Sequence, residues 1–319
     1  MPEVTAIIAS HNGRDFIAAA IESVLNQTRP PTQVLVVDDS TDDSPALIES
    51  YATRARGHVQ LLRVPPCNIS KARNLALDAA LSGGGGGDFI AFLDGDDVWL
   101  PDRLAQQLDL LEADPQAAGA WCRCFDFTHN LDDLARRSSQ RTADNPSLTD
   151  VILASNIPAS TQLVRRTALG ATRFDERSGH AEDVLFAAEL RLKGAWRLVD
   201  TPLVGKRLHG AQVTRNPWHT LWSAQARIRW CREHSAVIGT ALAEQLEETI
   251  ARDLATHLES LYWQRQVRGL PALRRAAAEL CPRQMQASFL ARTRIYPRWV
   301  YRLRDLFSTS HITKSNLAN

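Results

Sequence analysis

A chain of 319 residues, 44% hydrophobic and 23% charged, has the composition of a soluble globular protein and not of a disordered or fibrous one. Its formal net charge of +1 excludes a global electrostatic attraction to nucleic acid or to an anionic membrane. No apolar run reaches the roughly 20 residues of a bilayer-spanning helix, and Met1-Pro2-Glu3 leads into a strand pattern without the basic and apolar regions of a signal peptide.

In chain order, the first third alternates strand and helix. Residues 4–10 (VTAIIAS) form a short apolar run rich in β-branched side chains, the pattern of a buried strand. Residues 15–25 place Phe16, Ala19, Ala20 and Val24 at helical spacing. A second buried strand is predicted over 33–37 (QVLVV), a helix over 44–51 and a third strand over 59–64. Residues 70–81 (SKARNLALDAAL) predict a helix filled by Ala and Leu, with Ser70 as its cap. Five glycines at 83–87 read as a flexible connector, because a phosphate loop needs a helix to follow it and a strand follows here. That fourth strand spans 89–93 (FIAFL). Such alternation predicts parallel strands covered by helices, with ligands bound beyond the carboxyl ends of the strands. Those ends carry Ser10-His11-Asn12, Asp38-Asp39-Ser40 and Asp94-Gly95-Asp96-Asp97.

The middle is less regular. Strands are predicted over 117–127, 161–165 and 196–199, and a helix over 183–193 that Gly194 ends. From Trp218 the pattern is helical, with Leu242, Leu246, Ile250, Leu254, His257, Leu258 and Leu261 along one stripe. Cys67, Cys122, Cys124, Cys231 and Cys281 are odd in number and irregular in spacing. They frame neither a disulfide scaffold nor a zinc site, so the expected compartment is the reducing cytoplasm.

Four clusters carry the chemistry. FLDGDD, residues 92–97, crowds three carboxylates at one strand end, where they repel one another and raise their own pKa values. A divalent cation, Mg²⁺ or Mn²⁺, removes that penalty and prefers carboxylates together with phosphate oxygens. Strand alternation sets Asp94 and Asp96 on one side, and Gly95 permits close backbone approach. The plain alternative is an acidic turn with Asp97 as a helix cap. In VVDDSTDDS, residues 36–44, an acid after the second strand suits a base or ribose, or simply a helix N-terminus. Glu182-Asp183 opens a helix, either as dipole-favoured carboxylates or as a general base for an acceptor hydroxyl. Lys206-Arg207-Leu208-His209 offers cations for a pyrophosphate and an imidazole that is either a metal ligand or structural.

Taken together, six segments resemble the family 2 glycosyltransferases of the GT-A fold, over about residues 3–215: IIASHNGRDFIAAAIESVLNQT, VLVVDDSTDDS, ISKARNLAL, DFIAFLDGDDVWLPDRL, FDERSGHAEDVLFAAELRLKG and KRLHGAQVT. The resemblance implies an α/β domain with a mostly parallel nucleotide-binding sheet flanked by helices. Residues 1–215 would form it, as a nucleotide-binding half (1–115) and an acceptor half (116–215), followed by a helical C-terminal extension, 216–319. It implies inverting transfer from a nucleotide diphosphate sugar, a UDP-sugar, to a glycan or lipid-linked acceptor in cell-surface polysaccharide or glycolipid synthesis. It places Asp39 at the base, Arg73 near base and phosphates, and Asp94 at the ribose. It places Asp96 on the metal, Asp183 as base, and His209 near metal and pyrophosphate. With Ser10, Asn12, Gly95 and Arg207 these complete the expected donor site. The chain departs from the family where Ala9-Ser10-His11-Asn12 replaces the frequent Pro-x-Tyr-Asn, Gly95 a frequent Ser, and Lys206-Arg207 a frequent Tyr-Arg. Acceptor choice is expected around 155–161 and 179–180.

Competing readings are weaker. A receiver domain would need its acidic pair on the first strand and a phospho-acceptor Asp one strand later, where Pro65-Pro66 stands. A nicotinamide dehydrogenase would need G-x-G-x-x-G. A nucleotide-sugar-binding protein without turnover shares every motif and is separated only by assay.

The C-terminal tail departs from the neutral average. Residues 282–319 hold Arg283, Arg292, Arg294, Arg298, Arg302, Arg304 and Lys314 against Asp305, a charge of about +6. Tyr296, Trp299, Tyr301 and Phe307 interleave with the arginines. This suits peripheral contact with an anionic bilayer, and equally a basic segment packed on protein, since Pro297 interrupts any long helix. For membrane contact, flotation with anionic liposomes at low salt is expected for the full chain and lost on truncation after Pro282. Equal flotation of both chains, or none by either, would exclude the tail as an anchor.

Overall fold

Among the described residues the sheet joins eight strands: β1 (Val4–Ser10), β2 (Gln33–Asp38), β3 (Val59–Arg63), β4 (Phe89–Asp94), β5 (Val98–Trp99), β6 (Gly119–Phe127), β7 (Leu163–Arg165) and β8 (Trp196–Arg207). Their spatial order is β3-β2-β1-β4-β7-β6-β8-β5. This is a computed structural model, and it describes residues 2–55, 57–82, 87–128, 144–154, 157–178, 180–210, 216–266, 268–293 and 295. Gly83–86, residues 155, 156 and 179, and the basic tail at 294 and from 296 on lie outside the described residues. Two compact units divide the chain, Met1–Gln212 and Val213–Asn319.

In the first unit, β1 to β4 pair in parallel, and α1 (Ile17–Leu25), α2 (Ser44–Arg54) and α3 (Ile69–Leu81) make the crossovers. Every residue of β1 is buried, as a central strand between helix layers requires. The cap of α3 lies two residues before the expected Ser70. Asn68 accepts the Lys71 N–H (2.9 Å) and donates to the Glu176 carbonyl (2.8 Å), which anchors it, while Ser70 is buried in the first turn.

Beyond β4 the sheet becomes mixed. α4 (Arg103–Ala113) precedes β6; α5 (Leu148–Ala154), α6 (Arg166–Leu169) and α7 (Glu182–Arg191) follow it. β7 runs antiparallel to both β4 and β6, and β8 runs parallel to β6 and antiparallel to β5. β8 is longer than its apolar pattern, which breaks at Asp200-Thr201-Pro202. Register shifts opposite Cys122, Arg123 and Cys124 absorb those residues, and the strand resumes to Arg207. The strand therefore delivers Lys206 and Arg207 to the edge where β1, β2 and β4 end.

The second unit is helical: α8 (His219–Glu233), α9 (Ser235–Ile238), α10 (Thr240–Trp263), α11 (Leu270–Leu280) and α12 (Pro282–Ala287). Leu246, Ile250, Leu254, Leu258 and Leu261 are buried along α10, as the spacing predicts, and His257 meets Thr220 at 3.3 Å. Among the described residues no helix is long and apolar enough to cross a membrane.

Gly119 starts β6 where no side chain fits. A Cβ there would stand 2.7 Å from the Trp196 ring and 2.8 Å from the Leu163 carbonyl. Trp196 is fully buried, and its Nε1–H is bonded to the Ala187 carbonyl (3.0 Å), so it cannot yield. Gly119→Ala is expected to cost roughly 1–3 kcal/mol, about 2–4 °C of unfolding midpoint per kcal/mol for a domain of this size, read by calorimetry. An unchanged midpoint would show that the Trp196 contact is not tight.

Candidate active site

The site lies at the carboxyl edge of the parallel strands. The register pairs Ser10 with Asp38 and Ala9 with Asp94, so the three strand ends form one line. Gly95 lets β1 and β4 close together: its N–H donates to the Ala9 carbonyl (2.8 Å), and a Cβ would lie 3.0 Å from that oxygen. The Ser10 hydroxyl is buried and has no hydrogen-bond partner among the described residues, while its carbonyl accepts the Asp39 N–H (3.4 Å). Asn12 adopts a left-handed backbone (φ 48°). It receives the Thr41 N–H on Oδ1 (2.9 Å) and gives its own N–H to Ser40 Oγ (2.6 Å). Ser10 and Asn12 thus brace the loops around the site.

The two acids after β2 part company. Asp38 is fully buried, accepting from the Ser40 N–H (3.1 Å) and hydroxyl (2.8 Å) and pairing with Arg63. Asp39 faces the other way. Its Oδ1 meets His11 Nδ1 at 2.7 Å and its Oδ2 accepts the Cys67 N–H (3.0 Å). His11 itself is largely exposed, leaving this pair at the open rim.

The acidic loop after β4 gathers Asp94, Asp96 and Asp97, with one carboxylate oxygen of each within 4.8 Å of the others. Asp97 is buried, and its oxygens accept the Ser160 hydroxyl (2.8 Å) and the Arg207 N–H (3.1 Å). Burial, reinforced by Asp96 and Asp94, pushes the Asp97 carboxyl well above the usual range, against the opposing charge of Lys206. Asp96 meets His209 Nε2 at 2.8 Å, although 113 residues separate them. The Arg207 guanidinium lies over Phe16 (5.1 Å) and Phe127 (4.5 Å), and its Nε donates to the Asp96 carbonyl (3.1 Å). Three carboxylates and an imidazole are a donor set suited to a hard or borderline dication.

Across the edge stands α7. Arg73, only 3% exposed, bridges Asp94 (2.5 Å) and Glu182 (3.0 Å). Burial disfavours its charge, but Asp94 and Glu182 more than compensate and raise its pKa. Asp183 accepts its neighbour Val184's N–H (2.8 Å). Burial and then Glu182 push the Asp183 carboxyl up to about 6, with Arg73 and Lys206 opposing. Burial also works against the Lys206 ammonium, but Asp97, Cys124, Asp183 and Asp94 hold its pKa above the ordinary value.

The fold thus brings Asp39, Arg73, Asp94, Gly95, Asp96, Asp183, Arg207 and His209 to one edge. Arg73 reaches it with its guanidinium engaged by two carboxylates. Sequence reading did not single out Ser160, which receives the Asp94 N–H (3.1 Å) as well as binding Asp97. No local pattern marks it, since its partners lie more than 60 residues away. Ala159, Ser160 and Thr161 are buried, so this part of the expected acceptor region frames the acidic loop.

The family model described as "Glycosyl transferase family 2" matches residues 5–170. The chain is 34% identical over 116 residues to the UDP-Glc:alpha-D-GlcNAc-diphosphoundecaprenol beta-1,3-glucosyltransferase WfaP of Escherichia coli, covering 36% of this chain and 43% of that one. The match therefore spans less than half of the relative's length. Among solved structures, S. aureus TarS 1–349 in complex with UDP superposes with a TM-score of 0.65 at 19% identity, over 89% of this chain and 82% of that one. The mannosyltransferase PcManGT from Pyrobaculum calidifontis, in complex with GDP-Man and Mn2+, superposes with a TM-score of 0.54 at 18% identity, over 88% and 85%. The fold is GT-A-like, an α/β architecture with a mixed sheet flanked by helices.

The raised pKa of Asp183 has a consequence for stability. The folded protein holds this proton more tightly than the unfolded chain, so the carboxyl costs nothing below its ordinary pKa of 3.8. The cost grows as pH rises toward about 6 and is complete above it. Asp183→Asn mimics the protonated state. Its unfolding midpoint is expected to exceed that of the parent above pH 6 and to converge with it near pH 4. A gap that did not depend on pH would contradict the burial of this carboxyl.

Proposed function

This chain belongs to glycosyl transferase family 2, and we propose that it transfers a sugar from a UDP-sugar to a hydroxyl of a glycan or lipid-linked acceptor, with inversion and with a divalent cation. One observation carries the reading: Asp96 and His209 meet beside Asp94 and Asp97, opposite the raised carboxyl of Asp183. Two related folds support it, since TarS has been solved with UDP and PcManGT with GDP-Man and Mn2+. The E. coli relative is named for a UDP-Glc donor and a diphosphoundecaprenol-linked acceptor.

In this reading Asp39 accepts a hydrogen bond from the nucleobase and Asp94 from the ribose. Asp96 and His209 would hold the cation, Mn²⁺ or Mg²⁺, which would supply positive charge against the leaving diphosphate. Arg207, clamped by Phe16 and Phe127, faces the same diphosphate with a fixed positive charge. The acceptor oxygen bonds to the anomeric carbon as the bond from that carbon to the diphosphate oxygen breaks. The acceptor proton passes to the Asp183 carboxylate, and the electron pair leaves with the diphosphate. A carboxyl ionising near 6 is a base matched to neutral pH, where it is mostly ionised yet more basic than an ordinary aspartate.

The test is binding and turnover with UDP and UDP-sugars. UDP with Mn²⁺ at about 100 Kd is expected to add roughly 2.7 kcal/mol of stability, and EDTA to remove the gain. Asp96→Ala should lose UDP binding, and Asp183→Asn should keep it while losing at least about a hundredfold in kcat. UDP binding that is equally tight in EDTA would sink the cation assignment. Donor binding without transfer or hydrolysis of any UDP-sugar would mark a binding protein instead of an enzyme.

A further inference from the structure

Asp94 and Asp183 are separated by 89 positions and sit on different elements, β4 and α7. Two contacts join those elements at the site, and a third supports them. The first is the buried bridge from Asp94 to Arg73 to Glu182, at 2.5 Å and 3.0 Å. The second lies beneath it. Phe92 of β4 meets Phe186 of α7 edge-on (5.6 Å) and Phe174 edge-on (5.2 Å), while Phe174 stacks on Phe186 (4.0 Å) and under Arg73 (5.2 Å). The third is Asn74, next to Arg73 on α3, which holds Phe174 by both backbone groups, at 2.9 Å and 2.8 Å.

The aromatic contacts set how closely the two elements pack, but apolar stacking is tolerant of sliding. The guanidinium is not, because its planar fork fixes both carboxylates in direction as well as distance. Glu182 is 13% exposed and committed to Arg73, so it is not the group that meets an acceptor. Its neighbour Asp183 inherits the orientation that the bridge imposes on the first turn of α7.

We propose that Glu182 is a positioning residue which, through Arg73, locks the start of α7 to the end of β4 and so fixes Asp183 relative to a donor held at Asp94. This rests on the transfer reading above, in which Asp183 is the base. The charged groups acting on Asp183 come from three elements: Glu182 on its own helix, Arg73 on α3 and Lys206 on β8. Removing Glu182 therefore both loosens the base and removes a like charge beside it.

The experiment compares the full chain with Glu182→Ala, Glu182→Gln and Asp183→Asn. UDP with Mn²⁺ probes binding, and hydrolysis of UDP-glucose and UDP-N-acetylglucosamine probes turnover. A ¹³C-carboxyl NMR titration follows Asp183, assigned by its absence in Asp183→Asn. Glu182→Ala is expected to bind UDP within about threefold of the parent but to turn over about tenfold to a hundredfold more slowly, the scale of a misplacement near 1 Å. Glu182→Gln keeps an oxygen for Arg73 and should recover most of that rate. In both, Asp183 should ionise below its parent value of about 6. Parent-like turnover by Glu182→Ala, an unshifted Asp183 titration, or losses of UDP binding and unfolding midpoint in step with turnover would overturn the proposal. Asp183→Asn keeps the two levels apart. Near-parent turnover by that variant rejects the base itself, whereas its inactivity beside a fully active Glu182→Ala rejects only the bridge.

Discussion

Negative charge crowded at the carboxyl ends of parallel strands is the constraint around which the first unit is arranged. Asp38, Asp39, Asp94, Asp96 and Asp97 come from two strand ends, and Glu182 and Asp183 face them from α7. Two like charges about 4 Å apart repel by roughly 4 kcal/mol at the effective dielectric of a protein surface. The fold meets this acid by acid. Arg63 takes Asp38, His11 meets Asp39, Arg73 spans Asp94 and Glu182, and His209 meets Asp96. Asp97 is satisfied by a hydroxyl and a backbone amide, and Asp183 by one amide with Arg73 and Lys206 acting across space.

These pairings are not chiefly a source of stability. Desolvating both partners of a buried ion pair takes back much of what their attraction gives, so an apolar replacement is often no worse. What they supply is direction. Apolar stabilisation near the site comes from the Phe92, Phe174 and Phe186 cluster, while the ions determine where each carboxylate points. A carboxyl with its pKa raised to about 6 is a standing cost above that pH, as expected where a group is kept for chemistry.

The mixed second half of the sheet gives the edge its opposite wall. Because β7 runs antiparallel between β4 and β6, the Ser160 turn before it arrives at the acidic loop. Because β8 runs parallel to β6 for its whole length, it ends with Lys206 and Arg207 at the same edge, and His209 follows. A purely parallel sheet built by repeating the first crossovers would not return a turn and a basic strand end to the same few ångströms.

The sequence by itself determined the strands β1 to β4, their parallel pairing and the acidic clusters at their ends. These signals are local: apolar runs of strand length, helices between them, and carboxylates where a run stops. It also placed the α10 stripe, since helical periodicity is local as well. The cap of α3 was misplaced by two residues because the Asn68 cap is reinforced by Glu176, more than a hundred positions away. The end of β8 was missed because a polar interruption looks like a strand end unless the strand bulges there and its pairing resumes beyond. Which of Asp38 and Asp39 meets His11 at the rim, that Arg73 is spent on two carboxylates, and that Ser160 underpins the acidic loop were decided only by tertiary structure. The physical reason is common to all three. A polar side chain's role is set by the partner it meets, and in each case a partner from about twenty to more than a hundred residues away along the chain takes part.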